Sequence, residues 1–196
     1  MIKGYKTQLN NINKFFNKKV RECKRAANVW IGNNNISNPT EKQRGQAIKE
    51  IEKNRLKYLQ RLEAANNAEK LDYIRIDVNW KRSSMWGYNP AAEVWTTDGY
   101  YNTGRASGCG YDKESAAIDH ALCSSPSLTR FLIENYTKLK DFYGVSNWGG
   151  LIQLDISGKG TNELLRIFRA VKGYEICEMH GQTFDGYKIT FNGGRK

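Results

Sequence analysis

The sequence predicts an α+β fold: an N-terminal antiparallel helical hairpin, followed by an antiparallel sheet with helices packed on one face. Apolar residues recur every three or four positions as far as residue 66, and from residue 71 they alternate with polar ones. The later segments group as strands, then helices, then strands, which is typical of α+β proteins. We therefore predict a basic helical hairpin over residues 1–68 and an α+β domain over residues 69–196, and expect a chain starting near Ala68 to fold alone.

Two long helices are expected in the first region. The apolar stripe of the first comprises Tyr5, Leu9, Ile12, Phe16, Val20, Cys23, Ala27 and Trp30. The run GNNNISNPTE (32–41) interrupts it as a short turn. Asn38 is a good N-cap, Pro39 suits a first helical position, and Glu41 can complete a capping box, so the second helix is expected over 39–66. Long helices joined by a short turn pack antiparallel.

Strands are predicted where the period changes to two. Ile74, Ile76 and Val78 alternate with polar residues in LDYIRIDVNW (71–80), which indicates a half-buried strand. AAEVWTT (91–97) and YYNTGRA (100–106) are predicted as strands joined by a turn at Asp98-Gly99. Helices are expected over about 113–124, 127–142 and 161–172, a short strand over 151–157, and a closing hairpin from YEICEM (174–179) and YKITF (187–191).

Charge distinguishes the two regions. The net charge is +11, and residues 1–70 carry 16 Lys and Arg against 6 Glu, whereas residues 71–196 carry 15 against 14 Asp and Glu. Six cations lie within twelve residues and are offset only by Glu22. They are Lys14, Lys18, Lys19, Arg21, Lys24 and Arg25. Such a helix suits a phosphate backbone or an acidic protein surface. The alternative is a solvated coiled-coil flank.

A second candidate binding segment is KRSSMWGYNP (81–90), interpreted as a connection between strands. Exposed aromatic and basic side chains are typical of binding hot spots and can stack on bases. We therefore select Lys81, Arg82, Trp86 and Tyr88 as candidate binding residues, with Arg105 from the glycine-rich segment that follows. The alternative is that Trp86 folds back over the edge of the sheet.

Gly108-Cys109-Gly110 raises the question of a catalytic cysteine. A thiol at a helix N-terminus can act as a nucleophile, but it also needs a base. Nothing in the sequence places either histidine, His120 or His180, beside Cys109. A glycine-bounded turn capped by Asp112 is therefore favoured, with a partner-binding loop and a catalytic cysteine as alternatives. We predict that the chain is not an enzyme.

Metal and nucleotide chemistry are not expected either. His120 and Cys123, with Cys177 and His180, could supply four zinc ligands, but the paired Cys-x-x-Cys of a zinc ribbon is missing. SGKGT (157–161) fails the phosphate-loop pattern because Gly160 follows Lys159 where Ser or Thr is required. It is interpreted as a turn leading to an N-cap at Thr161. No cofactor is predicted.

Composition bears on membrane association, secretion and the redox state of the cysteines. No apolar run approaches the ~20 residues that a membrane span needs, and no apolar segment follows the basic start as in a secretory signal. The four cysteines have no regular spacing, which indicates reduced thiols. No membrane association is expected.

Two stretches carry a family resemblance. WKRSSMWGYNPAAEV (80–94) and GRASGCGYDKESAAI (104–118) resemble small proteins of phages, plasmids and other mobile elements of Gram-positive bacteria. The resemblance covers about residues 71–191, and the basic hairpin is less typical of the group. It implies a non-enzymatic binding protein in the cytoplasm of the bacterial host, and the group includes anti-CRISPR inhibitors of type II effector nucleases.

The partners that this resemblance implies are such a nuclease with its guide RNA, and DNA or RNA. A second copy of the chain is a further candidate partner. A nucleic-acid-binding accessory protein of a mobile element is the alternative function, and an enzyme built around Cys109 is the second alternative.

Overall fold

The computed structural model describes residues 1–83, 87–102, 114–171, 173–180 and 184–191 of the chain. The α-helices are α1 (Tyr5–Arg25), α2 (Glu41–Asn67), α3 (Glu114–Leu122), α4 (Pro126–Glu134), α5 (Tyr136–Leu139) and α6 (Thr161–Arg169). The strands are β1 (Asn28–Ile31), β2 (Asn34–Ser37), β3 (Tyr73–Ser83), β4 (Gly87–Thr96), β5 (Gly99–Asn102), β6 (Val145–Ser146), β7 (Gln153–Leu154), β8 (Tyr174–His180) and β9 (Phe184–Phe191). The predicted α+β class is confirmed.

The main sheet has five antiparallel strands in the order β5-β4-β3-β9-β8. The apolar side of strand β3 is buried as predicted, at Ile74, Ile76 and Val78. On the opposite face Tyr73 is 39% exposed, but Asp77 is buried, where it accepts hydrogen bonds from Arg75. Ile76 lies opposite Val94 of β4, which is also buried, so these side chains form the inner face of the sheet. Helix α3 packs against β4.

The first helix is shorter than predicted. It ends at Arg25, and residues 28–37 form a small hairpin of β1 and β2 where a helix to Trp30 and a turn were expected. The guanidinium of Arg44 donates hydrogen bonds to the carbonyl oxygens of Cys23 and Ala26, at 3.0 and 2.7 Å. This side chain therefore satisfies carbonyls that the end of α1 leaves unpaired.

The second helix begins two residues later than predicted. Its N-cap is Thr40 and not Asn38, and the capping box is formed by Thr40 with Gln43. Asn38 instead has a φ of 46°, in the left-handed region that asparagine tolerates. The two candidate caps are similar in sequence, and the hairpin that precedes the helix decides between them.

Most of the buried side chains of the helical pair belong to the main core, apart from a small separate cluster of Cys23, Val29 and Ala47. Ile12 and Phe16 of α1 and Leu62 of α2 belong to the same buried cluster as Ile76 of the sheet and Phe168 of α6. The boundary at residue 68 therefore marks a change of secondary structure, and the core continues across it. That the hairpin folds separately from the α+β part stays a prediction.

The described residues of the segment 81–90 belong to strands, where a connection was predicted. Lys81 and Arg82 lie in β3 and Tyr88 lies in β4, with Arg82 opposite Tyr88 in the register. Pro90 lies opposite Trp80 of β3, and the described pairing of β4 with β5 covers residues 93–96.

Three later elements also differ from prediction. The helix expected over 127–142 is divided at Asn135 into α4 and α5, and the helix expected to reach 172 ends at Arg169. The strand expected over 151–157 is reduced to Gln153–Leu154, paired with Val145–Ser146. A buried apolar run lacks a clear helical or strand period, so the sequence did not predict where these elements begin and end.

Asp98 ties the β4–β5 turn to α4. Since Thr96 pairs with Gly99, the turn residues are Thr97 and Asp98, one position earlier than predicted. The Asp98 carboxylate accepts hydrogen bonds from the backbone amide of Ser127 and from the Ser125 hydroxyl at 3.1 Å. Burial opposes ionisation of Asp98, but the hydrogen bonds from Thr96, Ser127 and Ser125 outweigh it and hold its pKa below the ordinary value.

Candidate nucleic-acid interface

Helix α1 presents an exposed basic face. It carries seven cations, and all of them are exposed. They are Lys6, Lys14, Lys18, Lys19, Arg21, Lys24 and Arg25. Lys14, Lys18, Arg21 and Arg25 recur at intervals of four, three and four, so they form one stripe along the helix. We call these four residues the basic stripe. At 1.5 Å per residue the stripe is ~16 Å long.

The opposite side of α1 explains why this face points outward. Gln8, Ile12, Phe16 and Cys23 are the buried residues of the helix. Three of them belong to the predicted apolar stripe, which is therefore confirmed as far as Cys23. Because the apolar side is fixed in the core, helical geometry directs the remaining side chains to solvent.

Little negative charge on the helix offsets this face. Glu22 is its single acidic residue, and its carboxylate oxygens lie 3.8 Å from the Lys18 ammonium and 3.5 Å from that of Lys19. All three side chains are at least half exposed, so these pairs are weak and readily exchanged for another anion. Among the described residues, no carboxylate lies within ion-pair distance of Lys14, Arg21, Lys24 or Arg25.

Helix α2 uses its arginines differently from its lysines. Arg44 binds the end of α1, Arg55 donates to Asn13 of α1 at 2.5 Å, and Arg61 donates to the Cys123 carbonyl at 3.1 Å. Each of these arginines holds two parts of the fold together. The exposed cations of the helix form a second set, which we call the α2 lysines. It consists of Lys42, Lys49, Lys53 and Lys57.

Trp30 adds an aromatic side chain close to the end of the basic helix. The prediction placed it in the apolar stripe of a longer helix, but in β1 the side chains alternate, so Val29 is buried and Trp30 is 63% exposed. Asn35 lies opposite Trp30 on β2. The signal that sequence reasoning missed is the alternation of a short hairpin within the Asn-rich run.

The other predicted binding residues are not brought into this face by any described contact. Lys81, Arg82 and Tyr88 are described only as strand positions, and Trp86 and Arg105 lie outside the described residues. Cys109 also lies outside them, so the three interpretations of the glycine motif stay as predicted.

The residues considered as zinc ligands lie partly among the described residues. Among the described residues, no three His, Cys, Asp or Glu side chains are grouped so that they could hold a metal ion. His120 lies in α3, and the Cys123 thiol donates to its carbonyl at 3.0 Å. Cys23 and Cys123 are free thiols.

The SGKGT segment forms a turn before α6, as predicted. The helix begins at Thr161, and Gly160, not Thr161, occupies the N-cap position. The Lys159 ammonium donates to the Asp155 carboxylate at 3.0 Å and to the Tyr143 carbonyl at 2.6 Å. This lysine is therefore engaged within the fold.

No described helix is both long enough and apolar enough to cross a bilayer. In comparisons with family models, with curated proteins and with solved structures, the chain gave no match. The resemblance to mobile-element proteins therefore stays a prediction.

Proposed function

We propose that this chain is a non-enzymatic binding protein that binds nucleic acid through the basic stripe of α1. The observation that carries the proposal is that all seven cations of α1 are exposed, while the helix contains a single acidic residue, Glu22. Cations that stabilise the fold contact other parts of it, as Arg44 contacts the end of α1 and Arg166 contacts Glu163. Charge left on an ordered helix face suits a partner of opposite sign.

The dimensions of the stripe fit a phosphate backbone. Phosphates of one strand of duplex DNA are spaced by ~3.4 Å along the axis, so ~16 Å of helix covers about five of them. Lysine and arginine side chains supply affinity mainly by releasing counterions, without reading the sequence.

The test compares two variants with the same change of charge. In the first, Lys14, Lys18, Arg21 and Arg25 are all replaced by Gln. In the second, the four α2 lysines, Lys42, Lys49, Lys53 and Lys57, are replaced by Gln. Binding to a fluorescent DNA duplex is measured over a range of salt concentrations. For the first variant the slope of log affinity against log salt should decrease by up to about 3.6, because each lost phosphate contact removes about 0.9.

The second variant controls for net charge. If the basic stripe makes the contacts, the α2 variant keeps most of the slope, because long-range attraction is screened over ~8–10 Å at physiological ionic strength. Equal losses in both variants would show a general effect of charge, without a defined face. Unchanged salt dependence in the first variant would overturn the proposal.

The resemblance suggests where such a face would be used. We propose a type II CRISPR effector nuclease with its guide RNA as the partner, which makes the chain an anti-CRISPR inhibitor. Such complexes hold a guide–target heteroduplex in a positively charged channel and read a short duplex motif beside it. A basic helix could compete with the nuclease for DNA, or bind the phosphates that the loaded complex leaves exposed.

A pull-down from host lysate, with and without nuclease treatment, tests this partner. Recovery of the effector protein that survives removal of the nucleic acid supports the inhibitor. Recovery of DNA or RNA alone supports a nucleic-acid-binding accessory protein of a mobile element, which the proposal of a basic nucleic-acid face equally allows.

A further inference from the structure

A polar cavity lies beside the exposed Trp148. It has a volume of about 420 Å³, within the range of small-ligand sites, and is lined by Ser146, Asn147, Trp148, Gln153 and Asp155. These polar side chains offer both hydrogen-bond donors and acceptors. Trp148 is 67% exposed, which leaves much of its ring open to a flat ligand.

The loop that carries Trp148 is held firmly against the helical pair. Gly149 and Gly150 both have positive φ values, 67° and 80°. A Cβ at Gly149 would lie 2.4 Å from the Tyr58 ring of α2, and one at Gly150 would lie 2.5 Å from the Asn11 carbonyl of α1. Two residues later, the Ile152 amide donates to the buried side chain of Gln8 at 2.8 Å. The position of Trp148 is thus fixed by its neighbours.

One cation, Arg61, contacts a lining residue of this cavity, and a second, Lys19, lies near the Phe15 ring that neighbours Trp148. The Trp148 ring lies 6.3 Å from that of Phe15 on α1, and the Lys19 ammonium lies 5.9 Å from the same Phe15 ring. The Arg61 guanidinium donates to Gln153, a lining residue, at 3.1 Å. The lining carboxylate, Asp155, is paired with Lys159 at 3.0 Å, which reduces its repulsion of a phosphate.

We infer that this cavity binds one unpaired base of a nucleic acid strand. This inference rests on the proposed function and deepens it, because the strand that follows the basic face would place a base beside Trp148. The indole ring stacks on the base, and the Asn147 and Gln153 amides and the Asp155 carboxylate face its polar edge. The Arg61 guanidinium, which donates to the lining residue Gln153, is placed to bind a phosphate that flanks the base. An aromatic ring with a polar rim suits a sugar equally well, and the Arg61 guanidinium favours a nucleotide.

The test uses Trp148→Ala, with Trp148→Phe as the conservative variant and Trp30→Ala as the matched control. The two tryptophans are 67% and 63% exposed, so neither substitution to Ala opens the core. The probes are a single-stranded DNA of about 16 nucleotides and the same strand as a duplex. Thermal melting confirms that each variant is folded.

For Trp148→Ala we expect about 5- to 150-fold weaker binding of the single strand, which corresponds to the loss of one base stack. Duplex affinity should be unchanged, because paired bases are not available to the cavity. The salt slope should also be unchanged, because no phosphate contact is lost. Trp148→Phe should keep most of the single-strand affinity, and Trp30→Ala should show no preferential loss on the single strand.

Unchanged single-strand binding by Trp148→Ala, an equal loss on both probes, or absence of single-strand binding by the wild-type chain would overturn the inference. Its failure is distinguishable from failure of the proposed function. If the basic-stripe variant has a smaller salt slope and Trp148→Ala binds the single strand as wild type does, only the inference about the cavity is wrong. If the salt slope is unchanged and Trp148→Ala binds the single strand more weakly, only the proposal about the basic stripe is wrong.

Discussion

The helical pair and the α+β part of the chain use charge in different ways. In the α+β part, Arg75 donates to Asp77 at 2.8 Å and Arg166 donates to Glu163 at 2.8 Å, with both carboxylates nearly buried. On α1, seven cations face solvent around one exposed glutamate. Arg75 and Arg166 therefore contribute to the fold, whereas the exposed cations of α1 agree with the proposed binding of a nucleic acid.

The same two regions are nevertheless continuous in their packing. Leu62 of α2 and Ile76 of β3 belong to one buried cluster, and the Gly149-Gly150 turn lies directly on both helices. A contrast in surface charge therefore coexists with a shared interior.

Removing the helical pair should abolish the fold. A chain that starts at Ala68 exposes the core surface that Ile12, Phe16 and Leu62 cover in the full chain, so we expect it to lose cooperative thermal melting. In the full chain, Leu62→Ala should lower the free energy of unfolding by about 2–5 kcal/mol in a single transition. A truncated chain that melts cooperatively near the temperature of the full chain would show that the pair is an appendage.

Gly150→Ala should disturb the docking of the turn on α1. The new Cβ would lie 2.5 Å from the Asn11 carbonyl at a φ of 80°, so both a clash and backbone strain are expected. We expect a loss of about 3 kcal/mol in the free energy of unfolding, measured by denaturant titration. Gly158→Ala is the control, since Gly158 has a similar φ of 70° but open space around it. Similar losses at the two sites would argue against tight docking.

Asp98→Ala should destabilise the α+β part by about 2 kcal/mol at neutral pH, because the start of α4 loses a carboxylate acceptor. The folded pKa of Asp98 is depressed, as hydrogen bonds outweigh the opposing effect of burial. Its stabilisation is therefore full above the unfolded pKa of about 3.9 and is lost as the pH falls through the lower folded pKa.

The measurement is the difference in unfolding free energy between wild type and Asp98→Ala as a function of pH. The difference should shrink on acidification below about pH 4. Asp141→Ala is the control, because this carboxylate is 84% exposed and pairs only loosely, at 3.7 Å, with Lys140. A pH-independent difference for Asp98→Ala would contradict the assigned role of its charge.

Neutralising the basic stripe should have the smallest effect on stability. Lys14, Lys18, Arg21 and Arg25 are exposed, and Gln has a similar helix propensity. The free energy of unfolding should change by less than about 0.5 kcal/mol per site, as measured in denaturant. A large loss of stability would mean that these cations support the fold, and the contrast between the two regions would disappear.

Local signals in the sequence predicted much of the architecture. The apolar stripe from Tyr5 to Cys23 predicted α1 and its exposed basic face, and the alternation around Ile74 predicted β3 with its buried side. The lopsided charge of residues 1–70 predicted an exposed basic face, on which Glu22 makes only exposed pairs with Lys18 and Lys19; an anionic partner for that face stays a prediction. These features depend on periodicity and composition, which the sequence displays directly.

Tertiary contacts decided what local patterns leave open. The helical spacing of apolar residues continued to Trp30, so the sequence did not predict that α1 ends at Arg25. There the Arg44 side chain of α2 donates to the carbonyls of Cys23 and Ala26. The polar cavity could not be read from the chain either, because Gln153, Trp148 and the α1 residue Phe15 come together across more than 130 positions. Helix ends, shared cores and cavities depend on contacts between residues distant in sequence, whereas periodicity records only which side of each element is buried.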